Sequence, residues 1–152
     1  MEIEQFEKFL IKERVCGVDA MIFIYFFEKN PRYYLWVKKL FDLGEQGKIK
    51  LITSKITPIE ILSTQKLVTE PGKTYLYQEY FKNAKYLSVE DVSWDIVERS
   101  AKLRREMKLR TPDAIQLATA ELCNANIFLT NNQHFKIMES GHIFILDEMM
   151  RF

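Results

Sequence analysis

The sequence predicts an α/β protein, a three-layer sandwich in which helices cover both faces of a five-stranded parallel sheet. Short apolar runs alternate with longer segments whose apolar residues recur at helical spacing, a pattern typical of parallel sheets buried on both faces. The 152 residues are 47% hydrophobic and show no repeat, linker or low-complexity stretch. We therefore expect one domain over residues 1–152, with residues 1–13 forming an N-terminal helical extension.

The chain begins with a predicted amphipathic helix and the first strand. Ile3, Phe6 and Leu10 recur at helical spacing within the first thirteen residues. The apolar run 15–18 then predicts a buried strand that ends at Asp19. A carboxylate in this position loses hydration unless a partner compensates its charge, and a cation is the economical partner.

The aromatic segment 21–27 fits a helix or a strand by periodicity alone. We choose a helix, because a second helical stripe runs from Trp36 to Leu43 and stops at Gly44. The second strand is predicted at 49–53.

A helix is predicted after the second strand from the signals at its start. Thr57 is expected to cap it, with Pro58 at its first position and Glu60 reaching back to close a capping box. Pro71-Gly72 then interrupts the chain. The remaining predicted elements are helices at 75–81, at 94–107 and from Thr111 to Leu122, and strands at 86–89, 127–129 and 143–146.

Acidic residues stand at three predicted helix starts, namely Asp19, Glu60 and Asp113, and the segment 130–132 follows the fourth strand. In parallel α/β sheets, ligands bind beyond the carboxyl ends of the strands, where the strand order reverses. If the first and fourth strands are central neighbours, these groups face one crevice and can form a metal site. Glu60 and Asp113, taken singly, are equally well explained as helix-terminal residues.

Composition excludes several alternatives. The net charge of +1 gives no global attraction to nucleic acid or membrane, so any electrostatic site is local. The two cysteines lie in apolar surroundings, and we find no signal peptide or membrane span, which predicts a reduced, cytoplasmic protein. His134 and His142 lack zinc-ligand spacing, and neither a phosphate-binding glycine loop nor a serine nucleophile elbow occurs.

A basic stretch leads up to Asp113 and is a candidate for phosphate binding. The alternative is a solvated helix face balanced by Glu98 and Glu106. The candidate RNA-binding residues are Lys102, Arg104, Arg105, Lys108 and Arg110.

Four segments resemble the PIN-domain ribonucleases, including VapC-type toxins. They are Val18-Asp19-Ala20 and the stretches 58–62, 111–120 and 129–135, which occur in the family's order. The resemblance implies the PIN fold, a Mg²⁺- or Mn²⁺-dependent endoribonuclease acting on single-stranded RNA, a homodimer and a small antitoxin partner. For the homodimer, we expect the aromatic segment 25–36 to be partly buried between subunits.

The resemblance also implies roles for individual residues. Asp19, Glu60 and Asp113 fall on three acidic positions and are expected to hold the metal, while Thr130 matches a small hydroxyl residue nearby. Asn132 stands where the family usually has Asp; its amide oxygen can accept a metal or a water but brings no charge. The alternative reading is therefore a catalytically weak or inactive PIN-fold module that binds RNA or protein.

Overall fold

A computed structural model describes residues 1–138 and 140–151. Its sheet has five parallel strands in the order β3-β2-β1-β4-β5, which confirms the predicted α/β class. Because β1 pairs with both β2 and β4, the strand order reverses at β1. The condition that the first and fourth strands are neighbours is therefore met. The strands are β1 Val15–Val18, β2 Lys50–Ser54, β3 Leu87–Glu90, β4 Ile127–Thr130 and β5 Ile143–Ile145.

Helices connect the strands and include every helix that the sequence predicted. Three short elements were not predicted: the helices Lys66–Thr69 and Leu146–Met150 and the 3₁₀ helix Gln133–Ile137. The helices of the described chain are α1 Ile3–Glu13, α2 Ala20–Phe27, α3 Tyr34–Glu45, α4 Ile56–Leu62, α5 Lys66–Thr69, α6 Pro71–Asn83, α7 Trp94–Met107, α8 Thr111–Leu122 and α9 Leu146–Met150.

The core consists of two apolar clusters on opposite faces of the sheet. Along β4, Ile127 and Leu129 belong to one cluster and Phe128 to the other, as expected where successive side chains point to opposite faces. Helices α1, α2, α3 and α6 contribute side chains to the first cluster, and α7 and α8 contribute to the second. The N-terminal helix contributes Phe6 and Leu10, both fully buried.

Helix α8 packs directly on the central strand. A Cβ atom placed on Gly17 of β1 would lie 2.5 Å from the Cβ of Ala120, so only glycine allows this approach. The contact holds the helix that carries Asp113 against the strand that precedes Asp19.

The predicted start of α4 was wrong. The helix begins at Ile56, with Lys55 as its cap residue, and Pro58 occupies the third position. Thr57 does not cap the helix, because its hydroxyl is buried and bonded to Thr53 and Gln116. The capping-box explanation of Glu60 is therefore wrong as well.

The fifth strand is one residue shorter than predicted, since Leu146 begins α9. Both Cys16 and Cys123 are free. Within residues 1–138 and 140–151, the helices are too short or too polar to cross a membrane.

Candidate functional site

Asp19 directly follows the central strand β1 and is the N-cap residue of α2. Its Oδ1 accepts a hydrogen bond from the backbone N–H of Ala20 at 2.8 Å, so it caps that helix. Its Oδ2 accepts a bond from the hydroxyl of Thr130 at 2.7 Å, and its own N–H donates to the carbonyl of Leu129 at 3.0 Å. The start of α2 and the end of β4 therefore fix the orientation of this carboxylate.

The Asp19 carboxyl is 6% exposed, and this burial raises its pKa from 3.8 to about 6. The hydrogen bonds from Thr130 and Ala20 lower the pKa, the charge of Asp113 raises it, and Arg110 lowers it slightly. Among the described residues, no basic side chain forms an ion pair with Asp19. A bound cation would compensate this carboxylate.

Asp113 lies in the first turn of α8 and is also 6% exposed. Its Oδ2 accepts two hydrogen bonds, from Nε of Arg110 at 3.1 Å and from Nδ2 of Asn132 at 3.1 Å. One cation and one amide therefore already compensate this carboxylate.

Asn132 presents its amide nitrogen to the crevice. Its Oδ1 accepts a hydrogen bond from the backbone N–H of His134 at 3.0 Å and caps the 3₁₀ helix. Because a backbone N–H needs an oxygen acceptor, this bond fixes which end of the amide faces Asp113. The backbone N–H of Asn132 donates to Thr130 Oγ1 at 3.0 Å. The amide oxygen, which could accept a metal or a water, is thus engaged in closing a helix turn.

Glu60 projects from α4 and is exposed to solvent. Partial burial of its carboxyl raises its pKa, and the charges of Asp19 and Asp113 raise it further, while Arg110 lowers it. The three acidic residues therefore interact electrostatically across one crevice.

In the part of the chain that the structure describes, no three His, Cys, Asp or Glu side chains are already grouped as metal ligands. The donor set nevertheless fits a hard divalent cation. Mg²⁺ keeps several waters and takes only one or two protein carboxylates, and Asp19 is a buried carboxylate without a cationic partner. Asp19, Asp113 and Glu60 are the residues that could hold the ion.

Sequence reasoning missed a buried polar group beneath the carboxylates, formed by Thr53, Thr57 and Gln116. One signal pointed to it: Gln116 follows Asp113 by three residues and therefore lies on the same face of α8.

The predicted RNA-binding residues are all exposed, at the C-terminal half of α7 and in the linker to α8. Some already have partners within the chain. Nε of Arg104 donates to the carbonyl of Leu109 at 3.3 Å, Arg110 pairs with Asp113, and Lys102 lies 3.9 Å from Glu106. Lys108 caps α7 in a left-handed backbone conformation.

Much of the aromatic segment 25–36 packs within the chain. The rings of Tyr25 and Tyr33 stack with centroids 4.2 Å apart, and Phe26 packs on Phe41 at 4.5 Å. The hydroxyl of Tyr25 accepts a hydrogen bond from the side chain of Asn131 at 3.1 Å. Leu35, by contrast, is 69% exposed.

The fold and crevice define the class of protein: a five-stranded parallel α/β sandwich with acidic side chains at the reversal of strand order. The sequence model of the PIN domain matches residues 17–140. This match covers most of the chain, which therefore belongs to the PIN domain family. A comparison with curated proteins finds no significant match.

Solved structures support the same fold. The chain is similar to a protein in a toxin-antitoxin complex from Klebsiella pneumoniae, with 26% identity and a TM-score of 0.60 over 86% of this chain and 95% of the other. It also resembles a chain in the crystal structure of VapBC2 from Rickettsia felis bound to a DNA fragment from their promoter. That likeness has 20% identity and a TM-score of 0.61, over 86% of this chain and 98% of the other.

Proposed function

We propose that the protein is a divalent-metal-dependent endoribonuclease that hydrolyses phosphodiester bonds of single-stranded RNA. The observation that carries the proposal is Asp19, a buried carboxylate without a cationic partner, at the point where the strand order reverses and beside Asp113. Membership of the PIN domain family supports the same activity.

In this proposal, Asp19, Glu60 and Asp113 hold Mg²⁺ or Mn²⁺. When bound, the cation lowers the pKa of a water and neutralises negative charge that develops on the phosphate. The Thr130 hydroxyl holds the Asp19 carboxylate in one orientation by donating to its Oδ2. Asn132 and Arg110 hold Asp113 in the same way before RNA arrives.

Arg110 has a second role in the proposal. Its side chain is 70% exposed although it pairs with Asp113. Because most of this side chain remains exposed, its guanidinium could also contact an RNA phosphate, as arginine commonly does. The exposed residues Lys102, Arg104, Arg105 and Lys108 extend this basic surface along α7.

Cleavage of a labelled single-stranded RNA pool with and without Mn²⁺ tests the proposal. We expect cleavage by the wild type, and a loss of at least about 100-fold for Asp113→Asn, which removes a proposed ligand. Asp95→Asn is the matched control, because Asp95 occupies the first turn of α7 as Asp113 does in α8. An Asp113→Asn variant as active as the wild type would refute the site.

A second candidate function is a PIN-fold module that binds RNA or protein without cleaving it. It is favoured by Asn132, whose amide nitrogen donates to Asp113 where a carboxylate would bind a second cation. The same assay separates the two functions: RNA binding by the wild type without Mn²⁺-dependent cleavage supports the second.

We further propose that the protein is a toxin held inactive by a small antitoxin protein. The likeness to a chain of the Klebsiella pneumoniae toxin-antitoxin complex supports this partner. A homodimer that buries part of the segment 25–36 also stays a prediction, supported by the exposed side chain of Leu35.

A further inference from the structure

A chain of buried hydrogen bonds crosses the floor of the crevice. Nε2 of Gln116 on α8 donates to Oγ1 of Thr57 on α4 at 2.7 Å. The hydroxyls of Thr57 and Thr53 lie 2.7 Å apart, and Oγ1 of Thr53 donates to the carbonyl of Val18 at 2.8 Å. None of these side chains is more than 2% exposed. These hydrogen bonds thus connect α8, α4, β2 and the end of β1.

The protons in this chain have one consistent arrangement. Gln116 Oε1 accepts the backbone N–H of Ser54 at 3.3 Å, so the amide must present its nitrogen to Thr57. Thr57 therefore accepts from Gln116 and gives its single proton to Thr53. Thr53 then donates to Val18 at 2.8 Å, in preference to Gln116 Oε1 at 3.4 Å.

Three members of this hydrogen-bond chain, Gln116, Thr57 and Val18, each lie close in sequence to one of the acidic residues. Gln116 follows Asp113 by three residues on α8, and Thr57 precedes Glu60 by three residues on α4, so each pair shares a helix face. Val18, whose carbonyl ends the chain, immediately precedes Asp19.

We propose that Gln116, Thr57 and Thr53 are positioning residues that set the relative placement of Asp113, Glu60 and Asp19 for metal binding. The inference rests on the proposed function, because it assigns these carboxylates to one metal site. Three repelling carboxylates on separate elements need a connection that holds the elements at a fixed spacing. A buried chain of hydrogen bonds provides it, since a shift of any element leaves a buried polar group unpaired.

The test compares two buried threonines by calorimetric titration with Mn²⁺. Thr57→Val breaks the chain between α8 and β2, whereas Thr119→Val removes an equally buried hydroxyl that bonds only Ile115 of its own helix. We expect Thr57→Val to raise the dissociation constant for Mn²⁺ by about tenfold or more, the usual cost of losing a group that orients metal ligands. Thr119→Val should leave it unchanged.

Thermal unfolding separates positioning from simple stability. Without metal, the melting temperatures of Thr57→Val and Thr119→Val should fall by similar amounts. Thr57→Ser, which keeps the hydroxyl, should have the Mn²⁺ affinity of the wild type. If Thr57→Val does not fold, Gln116→Met tests the same chain with a side chain of similar volume.

Wild-type affinity in both Thr57→Val and Gln116→Met overturns the inference, as does an equal loss in Thr119→Val. A wild type that binds no Mn²⁺ overturns the metal site and the inference together. A wild type that binds Mn²⁺ but cleaves no RNA overturns the proposed endoribonuclease alone, and the Thr57→Val titration still decides the inference.

Discussion

Asp19 and Asp113 are equally buried on one crevice, each 6% exposed, but their surroundings differ. Asp113 accepts hydrogen bonds from a guanidinium and an amide, whereas Asp19 accepts only from a hydroxyl and a backbone N–H. Two equally buried carboxylates can therefore differ in how far their hydrogen-bond partners compensate the negative charge. A bound divalent cation would therefore compensate more negative charge at Asp19 than at Asp113.

The largest effects are expected for Asp19→Asn, which should weaken metal binding but stabilise the metal-free protein. Asp19→Asn should weaken Mn²⁺ binding by at least about 100-fold, because it removes a charged ligand. The same change should stabilise the metal-free protein above pH 7 by up to about 3 kcal/mol, which corresponds to the rise in the Asp19 pKa from 3.8 to about 6. Calorimetry with Mn²⁺ and chemical unfolding at several pH values measure the two parts.

The pH dependence has a defined sign. Because folding raises the Asp19 pKa, the folded state binds this proton more tightly than the unfolded state, and ionisation costs stability as pH rises from about 4 to about 6. The advantage of the Asn variant should therefore vanish below pH 4 and reach a plateau above pH 6. Asp113→Asn is the matched control and should instead destabilise, because Arg110 and Asn132 lose a charged acceptor. The same sign in both variants would contradict the comparison.

This difference between the two carboxylates could not be predicted from the sequence. Apolar runs and helix-start signals correctly predicted the parallel sheet and placed Asp19 and Asp113 at the ends of elements, because these features depend on local pattern. Local pattern failed at Thr57, whose capping signal was overridden by hydrogen bonds to Thr53 and Gln116. One partner of Asp113, Arg110, lies three residues earlier at the start of α8. The other, Asn132, comes from a separate segment after β4, and no local pattern encodes the direction in which its side chain points.

Asn132→Asp should remove one of the two partners that compensate Asp113 and leave Arg110 as the other. The change replaces the amide that donates to Asp113 with a second negative charge, while the new side chain can still cap the 3₁₀ helix. We expect the metal-free protein to lose about 1 to 3 kcal/mol of stability, because a buried hydrogen bond becomes a repulsion. Mn²⁺ should reverse this loss by binding only the folded state and should increase cleavage.

Melting curves with and without Mn²⁺ measure this effect. Asn131→Asp is the control, since it adds the same charge one residue away, where the side chain bonds Tyr25 and the N–H of Asp147. If Mn²⁺ stabilises the two variants equally, Asn132 lies outside the metal site.

The smallest expected effect concerns Arg110, the cation that distinguishes Asp113 from Asp19. The Arg110 side chain is 70% exposed but that of its partner Asp113 is only 9% exposed, so Arg110→Gln should cost about 1 kcal/mol of stability, the upper end of the range for exposed ion pairs. The variant should also reduce the slope of log affinity for RNA against log salt by about 1, the value for one lost phosphate contact. Arg105→Gln is the matched control: Arg105 is exposed on α7, so its loss should flatten the salt slope to the same degree without changing stability. Filter binding at several salt concentrations and chemical unfolding provide both readouts.

An unchanged salt slope for Arg110→Gln together with a loss of stability would mean that this guanidinium interacts with Asp113 alone. Phosphate binding would then depend on the basic residues of α7.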